Sequence, residues 1–341
     1  MRNNSKIQFE EITYRSWAFL WGVRQDGYRL ADRSTYQLGE TLMEQPSVDD
    51  EAPWLVPQGN MENRYPPLSK PTLHREFASL HEDDSFVKFA TRYGLLGVKS
   101  VPVFPRAGGA VVLAEPVPRW RDESWKVGQL LAFWDLVRRG DEGGVAGRLS
   151  QIVRWRQGAK GYVGVYIEME SRYDVTRKGW QVLPSIPTKG IRVDYHLHPI
   201  PPGSGEGRPG YLCDVIADTD IHPECLALWR PGDLFGPAMH YILREVNRHL
   251  KGHVTPQAVH PKDKGGIPTL YLWPDSLFIA LWVLFLNELK GEIRVRQCDN
   301  CHDWKEVNLR RDPFYCSDRC RVAAWRRRSQ MHDRRKGKKG K

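Results

Sequence analysis

Four of the six cysteines stand near the C-terminus, as Cys298-x2-Cys301 and, after fourteen intervening residues, Cys316-x3-Cys320. Two close cysteine pairs at this separation are the ligand pattern of a zinc site. Each pair grips one edge of a tetrahedron, and the chain between them closes the loop. Four thiolates complete the shell and leave no position for water, so the expected role of the Zn2+ is structural, not catalytic. His302 and Asp303 adjoin the cluster; His302 could replace a ligand, though the four cysteines suffice. Cys213 and Cys225 fall outside the pattern and read as small buried apolar residues.

The elements that must position these ligands are legible around them. Asp299 and Asn300 supply turn chemistry for a knuckle between the first pair. Residues 305–307 and 313–315 can form the two arms of a short hairpin. Ser317 and Asp318 are good N-cap residues, which places Cys316 before a helix and Cys320 in its first turn. Knuckle, hairpin and ligand-bearing helix in this order make a treble-clef arrangement. The helix is expected to run on through Arg321 and Arg328 towards His332, since Ala and Arg favour it. Val322 and Trp325 are expected to pack back on the hairpin, with Arg321 and Arg328 on one face and Arg326 and Arg327 at its border. The low-complexity end, residues 334–341, is expected to be disordered until bound.

The stretch Arg294-Val295-Arg296-Gln297-Cys298-Asp299-Asn300-Cys301, following an apolar helix and leading to Phe314-Tyr315-Cys316-Ser317-Asp318-Arg319-Cys320-Arg321, resembles the C-terminal zinc finger of bacterial CGNR-type proteins. The likeness covers about the last fifth of the chain. It departs where that family reads Cys-Gly-Asn-Arg and this chain reads Cys320-Arg321-Val322-Ala323. The resemblance implies a bacterial regulator that binds DNA, with zinc on all four cysteines.

Charge supports a polyanionic partner independently. Of the net charge of +10, all resides in residues 294–341, and the 293 residues before them are neutral. Within residues 321–341, ten Lys and Arg face only Asp333. A metal-anchored basic helix and tail suit phosphate contact and counterion release. The candidate nucleic-acid contacts are Arg321, Arg326, Arg327, Arg328, Arg334, Arg335 and Lys336, with DNA ahead of RNA as the partner. No amphipathic apolar face accompanies these charges, which argues against a membrane surface. A third reading makes the finger a structural clip in a protein–protein assembly.

The rest of the chain reads as α+β, with a core supported by 40% hydrophobic residues and 13 Trp. Boundaries are expected near residues 120, 293 and 333, separating an N-terminal region (1–120), a central region (121–293), the finger (294–333) and the basic tail (334–341). Strands are expected near residues 12–14, 17–23, 28, 162–169, 191–195 and 211–217, and a Pro-rich acidic loop over 45–71. Helices are expected over 83–96, twice between 124 and 158, and over 235–250. A last one starts after Asp275 and Ser276 and ends at Gly291. The longest apolar run, residues 277–286, is half the roughly 20 residues that a membrane span needs. The N-terminus lacks an apolar stretch after its basic residues, so a cytoplasmic location is expected. The large neutral region could contact a protein partner.

No phosphate loop, nucleophile elbow or His-Glu protease motif occurs, and no catalytic residue is assigned. His196-x-His198 could present two imidazoles on one strand face. Arg244-x4-His249 resembles the Arg–His motif of HEPN ribonucleases, which offers an alternative reading as an RNA nuclease with the finger as substrate grip. Helix C-termini also collect Arg and His because of the dipole alone.

Overall fold

The computed structural model describes residues 19–39, 53–59, 62–139, 145–157, 163–169, 191–199, 211–214, 228–229, 232–259, 269–291, 293–307 and 314–338. The expected strand at residues 12–14 and Cys225 lie outside them. In chain order the elements begin with β1 (Trp21–Arg24), β2 (Tyr28–Ala31), β3 (Tyr36–Leu38), β4 (Trp54–Pro57) and β5 (Glu62–Tyr65). A 3-10 turn at Pro67–Ser69 leads to α1 (Leu73–Ala78) and α2 (Asp83–Tyr93), then β6 (Val101–Pro105), β7 (Val112–Pro116) and α3 (Val117–Arg139). Next come α4 (Val145–Ile152), β8 (Val153–Gln157), β9 (Val163–Met169), β10 (Ile191–Pro199), β11 (Tyr211–Asp214) and β12 (Leu228–Trp229). The remainder is α5 (Phe235–Leu250), β13 (Val254–Val259), β14 (Thr269–Pro274), α6 (Leu277–Leu289), β15 (Val295–Gln297), β16 (Trp304–Glu306) and α7 (Asp318–Lys338). The fold is α+β, with antiparallel sheets throughout.

The chain divides into two compact units, with boundaries inside α3 and α5. The first comprises residues 1–128 and 249–341. Its main sheet has strand order β2-β4-β7-β6-β3. Trp54, Val56, Val101, Val103 and Ala114 form the buried core of that sheet. A second core is aromatic: Phe77, Phe86 and Phe89 each meet the ring of Trp120 at 6.0–6.1 Å, edge to face. Such pairs add to the burial of large rings. Helix α2 starts with a capping box between Glu82 and Ser85, with Asp83 and Asp84 in its first turn. It stops at Gly94, earlier than the expected Gly97. Gly94 has φ +89°, and a Cβ there would meet the Gly22 carbonyl at 2.4 Å, so only glycine fits.

Helix α6 is buried on nearly every face. The Ser276 hydroxyl caps it by accepting from the Ile279 N–H at 3.3 Å. Gly291, at φ +79°, follows its end, as a left-handed stop requires. Among the described residues no helix is long and apolar enough to cross a membrane.

The second unit, residues 129–248, carries a sheet of order β12-β11-β10-β9-β8. Val165 and Ile167 of β9 and Leu149 of α4 are buried. The Trp155 indole N–H donates to the Asp233 carbonyl at 2.8 Å. Phe133 and Tyr241 bring α3 and α5 into ring contact at 6.2 Å.

Two further expectations about these elements need correction. The segment 45–71 contains strands β4 and β5, because Trp54, Leu55 and Val56 are too apolar for a surface loop and are buried. The second helix between 124 and 158 ends at Ile152, and Val153 and Arg156 belong to β8. From Val153 the pattern alternates, with Val153 buried and Arg154 exposed, which is strand periodicity.

Candidate metal centre

The four cysteine sulfurs lie within 4.8 Å of one another. Cys301 Sγ and Cys316 Sγ are 3.5 Å apart, and so are Cys316 Sγ and Cys320 Sγ. Tetrahedral zinc with Zn–S of about 2.3 Å implies S···S edges of about 3.8 Å, so the cluster has the size of one such shell. Among the described residues no histidine or carboxylate joins it. His302 is exposed and lies beside the cluster in the turn, with φ +60°.

Local hydrogen bonds build the site from both sides. The first pair sits on a knuckle between β15 and β16, which pair Gln297 with Trp304. The Cys298 N–H donates to the Asp303 carbonyl at 2.9 Å, and the His302 N–H to the Cys298 carbonyl at 3.0 Å. The Gln297 amide closes the turn on the His302 carbonyl at 2.9 Å. The expected hairpin of residues 305–307 with 313–315 is therefore replaced by one whose arms flank the first pair. The Phe314 segment instead docks on the knuckle. Its N–H donates to Asp299 Oδ2 at 2.6 Å, and its carbonyl accepts from the Asp299 N–H at 3.0 Å. Ser317 caps α7 as expected, its hydroxyl accepting from the Cys320 N–H at 3.3 Å.

The electrostatics of the cluster call for a cation. Burial pushes the Cys298 thiol up, but N–H donors from Cys301, Cys316 and Asn300 outweigh it and hold that thiol down at about 6. The Asp303 N–H favours the Cys301 thiolate, yet desolvation and three neighbouring sulfurs push this thiol up to about 12. Desolvation and Cys320 raise Cys316, whereas the Ser317 hydroxyl lowers Cys320. Four adjacent thiols cannot all ionise against each other's charge. A bound dication removes that conflict, and thiolates are the form that binds it. The donor set fits a metal ion held by Cys298, Cys301, Cys316 and Cys320.

Helix α7 docks on this site differently from expectation. Val322 is 43% exposed and Trp325 is 64% exposed, so neither is buried against the hairpin. The reason is helical phase. From the ligand Cys320, the stripe at i+3, i+4 and i+7 is Ala323, Ala324 and Arg327. Both alanines are half-buried, and the Arg327 guanidinium donates to the Asn300 carbonyl at 3.3 Å and to Asn300 Oδ1. Trp325, five residues from Cys320, falls about 140° away around the axis.

The predicted contact arginines consequently separate into classes. Arg327 holds the knuckle, and Arg328 donates to the Tyr315 hydroxyl at 3.0 Å. Arg321 pairs with Asp318 at 2.9 Å, both well exposed. Arg326 is exposed and makes no hydrogen bond or ion pair among the described residues. The backbone of Arg334, Arg335 and Lys336 is helical, since α7 runs to Lys338 and well past His332.

The other sequence candidates lie elsewhere. His196 and His198 are in β10, opposite Asp214 and Leu212 of β11, and Cys213 faces Leu197 in the same ladder. Arg244 contacts Glu245 at 3.4 Å and lies over the Tyr241 ring at 5.7 Å. His249 stacks on the Trp282 ring at 4.0 Å with an interplanar angle of 11°.

One constellation escaped sequence reasoning. Glu288, buried at the end of α6, accepts from His74 at 2.7 Å and from Arg75 Nε at 2.9 Å, with a further Arg75 nitrogen on its other oxygen. The Arg75 guanidinium also lies 4.6 Å from the centre of the Trp304 ring in β16. One arginine thus joins α1, α6 and the ligand-bearing hairpin. Its signal in the sequence is a carboxylate at the end of a helix that is apolar apart from Asn287.

Searches of family models, curated proteins and solved structures return no match to this chain.

Proposed function

We propose that this chain is a zinc-binding protein that contacts nucleic acid through α7, with the metal organising the contact surface. The observation that carries the reading is the placement of charge. The whole excess of +10 follows residue 293, and α7 bears most of it directly after the ligand Cys320. Zinc is the metal that four thiolates in a closed tetrahedral shell suit best. The role is structural, because all four positions are taken by cysteine. DNA as the target, regulation as the setting and a bacterial source follow from the resemblance to CGNR-type fingers.

The contact surface comprises Arg321 and Arg326 near the metal and Arg334, Arg335 and Lys336 further along. Arg327 and Arg328 hold the finger together and support that surface. The test is a salt titration of binding to duplex DNA, duplex RNA and single strands by the zinc-loaded chain. Neutralising about six phosphates on duplex DNA gives a slope near −5 in log K against log salt. Replacing Arg321, Arg326, Arg334, Arg335 and Lys336 by Gln should remove most of that slope with zinc content unchanged. Undiminished binding by this variant would sink the assignment of α7.

A further inference from the structure

We infer that α7 recognises unpaired nucleic acid, with Trp325 as a stacking platform for a base; this rests on the nucleic-acid reading above and specifies its substrate. The metal sets the phase of the helix. Cys320, Ala323, Ala324 and Arg327 face the knuckle, which leaves Trp325 on the opposite side with 64% of its surface exposed. An indole so placed is open to solvent over most of its surface. Its neighbours on the helix surface are Arg321 at i−4, which pairs with the exposed Asp318, and Arg328 at i+3, which the Tyr315 hydroxyl holds in place. Arg326 adds a third exposed cation beside it.

Aromatic rings interleaved with cations along one element fit single strands. Phosphates track the cations, and bases stack on the ring without needing a particular edge. In a duplex the base faces are already stacked on each other, so an exposed indole gains nothing there comparable. A membrane surface fits less well. The apolar stripe that begins at Val322 and Trp325 continues at Ser329 and His332, so it offers two residues where interfacial helices present a continuous apolar face. A second copy of this chain would have to bring two equally basic helices together against their charge.

The experiment uses the full zinc-loaded chain and variants Trp325→Ala, Trp325→Phe and Arg326→Gln, each checked for zinc content and helicity. Probes are an oligothymidylate and an oligouridylate of about twenty nucleotides, a duplex of equal length, and vesicles of phosphatidylserine and phosphatidylcholine. Trp325→Ala should weaken binding to the single strands about tenfold or more and leave the salt slope unchanged. Trp325→Phe should retain most of the affinity, and Arg326→Gln should reduce the single-strand slope by about 0.7. Binding to single strands and duplex alike, with no effect of Trp325→Ala, overturns the inference and leaves the nucleic-acid reading standing. Binding to none of the nucleic acids overturns both. If Trp325→Ala abolishes only vesicle binding or only self-association, the indole serves that other surface and the inference fails.

Discussion

Helices α6 and α7 stand at opposite extremes of how a helix is held. Helix α6 has a mean character so apolar that nearly every side chain is buried, and it is capped by Ser276. Helix α7 is exposed along most of its described length, is rich in Arg, and carries Cys320 of the four-cysteine cluster near one end. Burial of apolar surface supplies the stability of the first. The second buries little apolar surface over its described side chains, so intrinsic propensity, and a metal if the cysteine cluster binds one, would have to hold it. Each also carries a residue of the opposite kind, and those exceptions are informative. A buried carboxylate, Glu288, ties α6 through Arg75 to the hairpin that presents the cysteines. An exposed indole, Trp325, leaves α7 with a large apolar side chain in solvent.

The contrast breaks most visibly on removing the metal. Chelation, or Cys298→Ser, should release one zinc per chain and unravel the knuckle and the start of α7, because binding and folding of such sites are coupled. The α6 core should keep its own cooperative transition. A metal-sensitive dye and far-UV circular dichroism would check both; full retention of α7 helicity after chelation would show that propensity alone holds it.

Next in size are the buried groups of α6. Phe285→Ala should cost about 3–5 kcal/mol by cavity formation. Glu288→Ala should cost a similar 3–5 kcal/mol by removing the buried carboxylate that His74 and Arg75 both bond. Urea denaturation measures both. If the arginine bridge matters to the finger, Glu288→Ala also weakens zinc retention and Phe285→Ala does so less.

Two buried carboxylates predict opposite responses to pH. Burial opposes ionisation of Glu288, but hydrogen bonds from His74 and Arg75 win and hold it down at about 2. A depressed carboxylate contributes stability at neutral pH that is lost as pH falls below about 4.5 towards 2. Burial instead pushes Glu115 up to about 7, against donors from Leu96, Trp120, Gly97 and Val98. Its folded state prefers the proton, so its contribution declines as pH rises from about 4.5 to 7 and is level above that. Glu115→Gln should flatten the second trend and leave the acid limb intact, as read by thermal melts across pH.

The smallest effect belongs to α7. Trp325→Ala and Val322→Ala should change stability by no more than about 0.5 kcal/mol, because both side chains are largely exposed. A loss above about 2 kcal/mol would place Trp325 in a packed environment and remove its role as an open platform.

Much of the candidate site could be read from the chain alone. The cluster of four cysteines, the Ser317 cap, the basic character of α7 and the start of α6 at Ser276 all rest on spacings of a few residues, where local geometry decides. The hairpin arms differ from the expected pair because Asp299 docks Phe314 onto the knuckle, a contact that propensity does not encode. Strands β4 and β5 were hidden in a segment whose Pro and acidic residues outweighed the short apolar run at Trp54.

What the tertiary structure decided was phase and partnership. Val322 and Trp325 have the pattern of packing residues, yet the rotation that points Cys320 at the other cysteines turns them outward. Glu288 and Arg75 are 213 residues apart, and only folding brings the carboxylate, the guanidinium and the Trp304 ring together. Sequence spacing determines which atoms can share a metal, because ligand geometry is local. Which faces are left exposed around that metal depends on contacts between distant segments.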